Sequence, residues 1–162
     1  LYLNFDMLAS PNPGYFTYDG DQSTATGPGQ SVPRVPEGSP GIERTLVDYL
    51  QSEDKTAQDT VFDGRSDYDA FTMAGVPAGG LFAGAEEAMT PEQAALWGGT
   101  AQAPFDPNYH KATDNLEHID REALGIQGGG VAYAVGVYAQ NLGGRNGMPE
   151  RADRTRHVVA QS

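Results

Sequence analysis

The chain has 162 residues, enough for one domain with a sizeable core. Its 21 Gly, 11 Pro and 38% hydrophobic content promise many turns, while periodic apolar segments keep it out of the disordered class. The net charge of -12 excludes a basic nucleic-acid face. The absence of cysteine excludes disulfides, thiol nucleophiles and cysteine-held zinc, so any metal falls to carboxylate and imidazole.

No apolar run approaches membrane-spanning length, and no signal peptide is visible. The chain opens without Met in an apolar run, Leu1 to Leu8, broken by Asn4 and Asp6. Such a run predicts an interior strand covered on both faces. A strand with no lead-in also reads as the start of a fragment. Asp6 near the strand end is costly unless paired, hydrogen-bonded or on a metal. It either caps the turn Ser10-Pro11-Asn12-Pro13-Gly14 or serves as a ligand beyond a strand's carboxyl end.

Gly14 to Asp21 alternates aromatic and polar residues and predicts a strand closed by a solvated turn, Asp19-Gly20-Asp21. Residues 22–39, rich in Ser, Thr, Gly and Pro, read as a long loop. A helix is expected from Pro40 to about Asp54, with Ser39 as cap, Glu43 as a favourable charge near its start, and an apolar stripe through Ile42, Leu46, Val47, Tyr49 and Leu50. Thr60-Val61-Phe62 predicts a short strand. It leads into Asp63-Gly64-Arg65-Ser66-Asp67-Tyr68, which reads as a functional loop, as the start of a helix over Asp67 to Ala74 capped by Ser66, or as both at once.

Val76 to Phe82 predicts another buried strand, and Thr90-Pro91-Glu92 opens a helix through Trp97. A last helix is expected from about Asp120 to Leu142, with Val131, Ala132, Val135, Tyr138 and Ala139 on its apolar face. Gly128-Gly129-Gly130 inside it costs about 1 kcal/mol per glycine relative to Ala, which close packing against a sheet would explain. Residues 1–144 form the folded part, and 145–162 a polar tail.

The chemistry centres on Phe105-Asp106-Pro107-Asn108-Tyr109-His110. His110 in a polar turn is either a surface histidine or a metal ligand, with Asp6 as its partner in this chain. An adjacent Tyr109 suits donation to a developing oxyanion. Two ligands do not complete a catalytic metal site, and neither His118 nor His157 supplies a third in an obvious way.

The ordered series Asn4-Phe5-Asp6-Met7, Ser10-Pro11-Asn12, Tyr18-Asp19-Gly20, Asp63 to Tyr68, Gly75 to Phe82, Gly84-Ala85-Glu86, Trp97-Gly98-Gly99-Thr100 and Asp106 to His110 resembles the C-terminal half of the di-zinc aminopeptidases typified by the secreted streptomycete enzyme. The resemblance implies an α/β fold, a mixed β-sheet flanked by helices in a three-layer sandwich. It implies cleavage of N-terminal, large apolar residues from peptides by a water that two zinc ions activate. Asp6 matches a ligand of one zinc and His110 a ligand of the other; Tyr109 matches the oxyanion stabiliser and Arg65 a substrate-contacting arginine. Met7, Gly64 and Phe82 match the lining of the first side-chain pocket.

The family's other zinc ligands and its general-base glutamate lie upstream of the segment matching Asp6. Their place is in a missing N-terminal part of the same domain. Glu86-Glu87 falls at the wrong place in the order to replace them, and Asn108 and Ala112 stand where a disulfide clamp would. The implied partner is a peptide, not nucleic acid, and the implied location is secreted or attached to the cell envelope. A carboxypeptidase or cyclotransferase on the same fold, or a non-catalytic binding relative, is the alternative.

Overall fold

A computed structural model of the protein describes residues 1–24, 35–144, 146–150 and 152. Much of the predicted loop at 22–39 and of the tail at 145–162 therefore lies outside the described residues. The elements are β1 (Tyr2–Asp6), β2 (Phe16–Tyr18), α1 (Ser39–Ser52), β3 (Gln58–Thr60), α2 (Tyr68–Met73), β4 (Ala78–Phe82), α3 (Pro91–Trp97), a 3-10 turn (Leu116–His118) and α4 (Arg121–Gln140).

The four strands form one mixed sheet in the order β1-β4-β2-β3. β1 and β4 run parallel with Asp6 opposite Phe82, β4 and β2 run antiparallel with Phe16 opposite Phe82, and β2 and β3 run parallel. The mixed sheet flanked by helices expected from the resemblance is present. β1 differs from the interior strand expected: among the described residues it is an edge strand, half-buried apart from the buried Asn4 and the exposed Asp6. Its side chains follow the pleat. Leu3 and Phe5 pack into the core under α1, while Tyr2 stacks on Phe71 of α2 on the other face, ring centroids 3.9 Å apart.

The main core lies between the sheet and α1 with α4. Ile42, Leu46 and Leu50 of α1 are fully buried against Leu81 of β4, each contributing roughly 1.5–3 kcal/mol on the usual scale for such side chains. Gly38, at φ 99, occupies the cap position where Ser39 was expected. Ser39 is instead the first helical residue, buried, and its Oγ accepts from the Ala78 N–H at 3.0 Å. α1 is thus pinned to the start of β4.

The strand expected at Thr60-Val61-Phe62 runs two residues earlier. Gln58 to Thr60 pair with β2, whereas Phe62 leaves the sheet to pack beneath Tyr18 and Tyr68, at 5.1 and 4.8 Å between ring centroids. On α4 Tyr138 is buried as expected, but the rest of the apolar face is set differently. The buried residues are Ala123, Gln127, Gly130, Ala134 and Tyr138, while Val135 is 52% exposed. Small residues let α4 approach closely, and the bulkier Val135 and Tyr133 turn outward. Asp120 caps this helix by accepting from the Ala123 N–H at 2.7 Å.

Candidate functional site

On the sheet face opposite α1, the ends of β1 and β4 and the loops that follow them surround a cavity of about 410 Å³. Because β1 and β4 are parallel, Asp6 and Phe82 finish side by side, and the chain beyond each turns over the same ground. The loop after β3 crosses to meet them, and the Asp106–His110 turn closes another side. Met7, Phe16, Tyr18 and Phe82 give the cavity an apolar floor. Asp6, Arg65, Ser66, Glu86 and Tyr109 supply polar groups. An apolar pocket with a few convergent polar groups has the form of a ligand site.

Each polar group is held by its own local structure. Asp6 Oδ2 accepts from the Ser66 hydroxyl at 2.8 Å, and Ser66 accepts from Asn4 Nδ2 at 2.9 Å. Ser66 therefore serves Asp6 rather than capping α2, whose cap position falls to Asp67 without a side-chain bond. Tyr68 fixes the loop ahead of it. Its hydroxyl donates to Asp63 Oδ1 at 2.8 Å and accepts from the Gly64 N–H at 2.9 Å. Gly64 turns the chain there at φ 80, a conformation natural only to glycine. Burial raises the Tyr68 phenol well above its ordinary range, with Asp63 adding to the effect, so the hydroxyl keeps the proton it donates.

Arg65 reaches from this loop to Glu86, with Nη2 2.6 Å from Oε1. Glu86 and Tyr109 together raise the guanidinium's already high pKa. The loop bearing Glu86 is anchored at Gly84, whose carbonyl accepts from the buried Ser10 hydroxyl at 2.6 Å.

The turn that begins at Asp106 is organised by that side chain, which accepts from the Asn108 N–H at 2.7 Å. The Asp106 N–H donates to Ala85 O at 2.7 Å, tying this turn to the loop after β4. Tyr109 and His110 stack at 3.9 Å with an interplanar angle of 20°. His110 sits at φ 56 and Met7 at φ 52, both left-handed without being glycine. Such backbone costs of order 1–3 kcal/mol and collects where surrounding structure holds a functional geometry.

Of the residues expected from the sequence, Asp6, Met7, Arg65, Phe82 and Tyr109 line the one cavity. Gly64 and His110 lie beside lining residues without lining it themselves. His118 is not among the residues lining the cavity, and its Nδ1 lies 2.7 Å from Thr113 O. Two participants were missed. Ser66 was placed in a functional loop and as a cap but given no role beside Asp6, and Glu86 was set aside by its place in the order of motifs. Glu86 had one legible signal: it follows a glycine turn at the carboxyl end of a strand, where sites gather in open sheets.

A second group of acids lies at the far end of β2. Carboxylate oxygens of Asp19, Asp21 and Glu43 fall within 4.8 Å of one another, close enough to share a cation. The turn is not the solvated one expected, since Asp19 is buried. Burial would raise the Asp19 carboxyl, but hydrogen bonds from Thr24 and Ser23 outweigh it and hold the group below its usual range. Glu43 is no helix-start charge; it points inward, and Oε2 accepts from the Gly20 and Asp21 N–H groups at 2.8 and 3.0 Å. Burial, with Asp21 and Asp59 nearby, pushes its pKa up to about 7.

Comparison with known proteins matches residues 1–135 to the model of peptidase family M28. A protein of Mycobacterium tuberculosis named "probable lipoprotein aminopeptidase" is 71% identical over 99% of this chain, which covers 32% of that protein. A "probable leucine aminopeptidase 2" of Aspergillus fumigatus is 49% identical over 88% of the chain and 27% of its own length. A "leucine aminopeptidase 2" of Trichophyton rubrum is 42% identical over 95% of the chain and 30% of its own length. The chain thus spans about a third of the length of the curated relatives it matches. Among the described residues, no helix is long and apolar enough to cross a membrane.

Proposed function

The chain belongs to peptidase family M28, and from that premise we propose that it forms one side of a zinc-dependent aminopeptidase site, releasing large apolar residues from the amino termini of peptides. One observation carries the reading: a single cavity gathers Asp6, Arg65 and Tyr109 above an apolar floor of Met7, Phe16 and Phe82. The floor suits a leucine-sized side chain.

The donor set fits zinc. Asp6 offers a carboxylate oxygen that Ser66 leaves uncommitted, and the ring nitrogens of His110 make no hydrogen bond to another described residue. Oxygen and imidazole nitrogen are the ligands zinc takes where thiolate is absent. In this reading Asp6 holds one of two zinc ions and His110 the other. The remaining ligands and the general base come from the rest of the domain. The chemistry such ions would supply when bound is activation of a water and polarisation of the scissile carbonyl.

This chain's own residues do the rest. Met7, Phe82 and the Gly64 loop receive the first side chain. Arg65 donates to the peptide backbone near the new terminus. The Tyr109 hydroxyl donates to the carbonyl oxygen as it gains charge. The lipoprotein name of the mycobacterial relative favours a place at the cell envelope or outside the cell for the whole protein. Residues 1–144 act as the catalytic-domain portion; beyond them Asn146 and Met148 fold back on it rather than trailing as a tail, Asn146 bonded to Arg44 and Tyr138 and Met148 packed on the main core.

The test is hydrolysis of leucine p-nitroanilide by the full-length protein. Chelation should abolish it, added Zn2+ should restore it, and His110→Ala should leave it below about a thousandth of the starting rate, as loss of a ligand from a catalytic metal predicts. A His110→Ala protein working at the wild-type rate would remove His110 from the metal.

A further inference from the structure

Glu86 is a pocket carboxylate that the proposed chemistry does not use. It stands two residues beyond Gly84, its Oε1 2.6 Å from Arg65 Nη2, with the two side chains 49% and 50% exposed. Arg65 is the one cation among the described residues lining the cavity, which also holds the carboxylates of Asp6, Asp59, Asp63 and Glu87. The Glu86 carboxyl is held below the usual range by its own backbone N–H, by Arg65 and, further off, by His110.

An arginine at the end of such a pocket is a ready receptor for a free carboxylate, because its planar fork matches one bidentately. Here that receptor is already engaged by an internal carboxylate. An incoming carboxylate meets Glu86 on the guanidinium, with Asp59, Asp63 and Glu87 as further acids on the same lining. A neutral peptide carbonyl meets no such opposition, and needs only one of the N–H groups that Glu86 leaves over. The pair is half exposed, so it is weak enough to shift as ligands arrive rather than forming a fixed strut.

We propose that Glu86 is a specificity-determining residue of this site: as an internal counter-ion on Arg65, it admits ligands that present a neutral carbonyl there and turns away those that present a free carboxylate, the released amino acid among them. The inference rests on the aminopeptidase reading. Its consequence is weak inhibition by the amino-acid product. A purely structural pair, joining the loop after β3 to the loop after β4, would leave the choice between ligands untouched.

The experiment compares binding of leucine and of leucinamide, which differ in that carboxylate, to the zinc-loaded full-length protein by titration calorimetry. Wild type, Glu86→Gln and Glu86→Gln with Arg65→Gln are measured side by side. Glu86→Gln should tighten leucine by about tenfold, the scale of one charge-assisted hydrogen bond gained. Leucinamide should change less than twofold, and the added Arg65→Gln should erase the gain. An unchanged ratio of the two affinities in Glu86→Gln, or no binding of either probe, overturns the inference. Leucine p-nitroanilide hydrolysis by wild type is read separately. If it is absent while the ratio shifts, the aminopeptidase reading falls and the role of Glu86 stands; if present while the ratio is fixed, the reverse holds.

Discussion

Ser66 donates its hydroxyl to Asp6 Oδ2 across 2.8 Å, joining two residues 60 positions apart. The same hydroxyl accepts from Asn4, which is only 3% exposed. A carboxylate oriented by an outer partner is the usual arrangement around a metal, and losing such a partner costs 10–100-fold in metal affinity in typical cases. Ser66→Ala should therefore weaken zinc binding by the full-length protein about tenfold or more, as read by competition with a chromogenic chelator. It should also cost about 1–3 kcal/mol in urea unfolding, because the buried Asn4 amide loses its acceptor. Ser66→Thr keeps the hydroxyl and should recover both.

Tyr109 is predicted to act on the rate and not on binding. A hydrogen bond that strengthens only as the carbonyl oxygen gains charge lowers kcat and leaves KM nearly unchanged. Tyr109→Phe keeps the ring that stacks on His110 at 3.9 Å, so the turn should survive. The expected loss is about 10²–10³ in kcat, the size found for single oxyanion donors, with KM for leucine p-nitroanilide moving less than about threefold. A fall confined to KM would make Tyr109 a binding residue instead.

Local pattern marks where the cavity forms, and the resemblance in ordered motifs names the residues on it. Apolar runs closed by Asp6 and by Gly84 mark strand ends, and β1 and β4 happen to be parallel, so the residues at those ends meet. The Asp106–His110 turn is set by its own Asp and Pro. What was not legible depends on distant pairs. Nothing near Ser66 announces Asp6, and nothing near Glu86 announces Arg65, 21 positions back. Apart from Tyr138 the α4 face was misjudged, because apolar and small residues surround that helix and close packing places Ala123, Gly130 and Ala134 inward beside Gln127. β1 reads as an interior strand because its apolar residues cover both faces, Leu3 and Phe5 in the main core and Tyr2 on Phe71, while its outer edge has no partner among the described residues.

Glu43 predicts a pH effect of defined sign. Its pKa is pushed up to about 7 in the folded protein by burial first, then by Asp21 and Asp59, from an ordinary value of 4.5. The folded state therefore binds the proton more tightly than the unfolded state. The stabilising contribution is complete below about pH 4.5 and is lost as pH rises through about 7. Asp19, held below its usual range, acts in the opposite sense in more acid solution. Glu43→Gln keeps an acceptor for Gly20 and Asp21 and cannot ionise. Melting temperatures between pH 5 and 8 should fall more steeply in wild type than in Glu43→Gln, on the order of several degrees across that range. Parallel curves would mean that Glu43 is already ionised throughout.

The three consecutive glycines of α4 should separate by what faces them. A Cβ on Gly130 would lie 2.5 Å from Leu81 Cδ1 and 3.1 Å from the Tyr49 ring, and one on Gly129 would lie 2.2 Å from the Tyr49 hydroxyl. That hydroxyl donates to Ile126 O at 2.7 Å and cannot move away without breaking the bond. Gly128 has nothing within 4 Å of the added carbon. Gly128→Ala should therefore stabilise the protein by up to about 1 kcal/mol through helix propensity alone. Gly130→Ala has the same gain in propensity set against displacement of Leu81 and Tyr49, both in the main core. Overpacking of that kind costs about 1–3 kcal/mol, so the net change should be destabilising. Urea unfolding of the two variants should move the midpoint in opposite directions. A shift in the same direction for both would show that α4 does not pack this closely on α1 and β4.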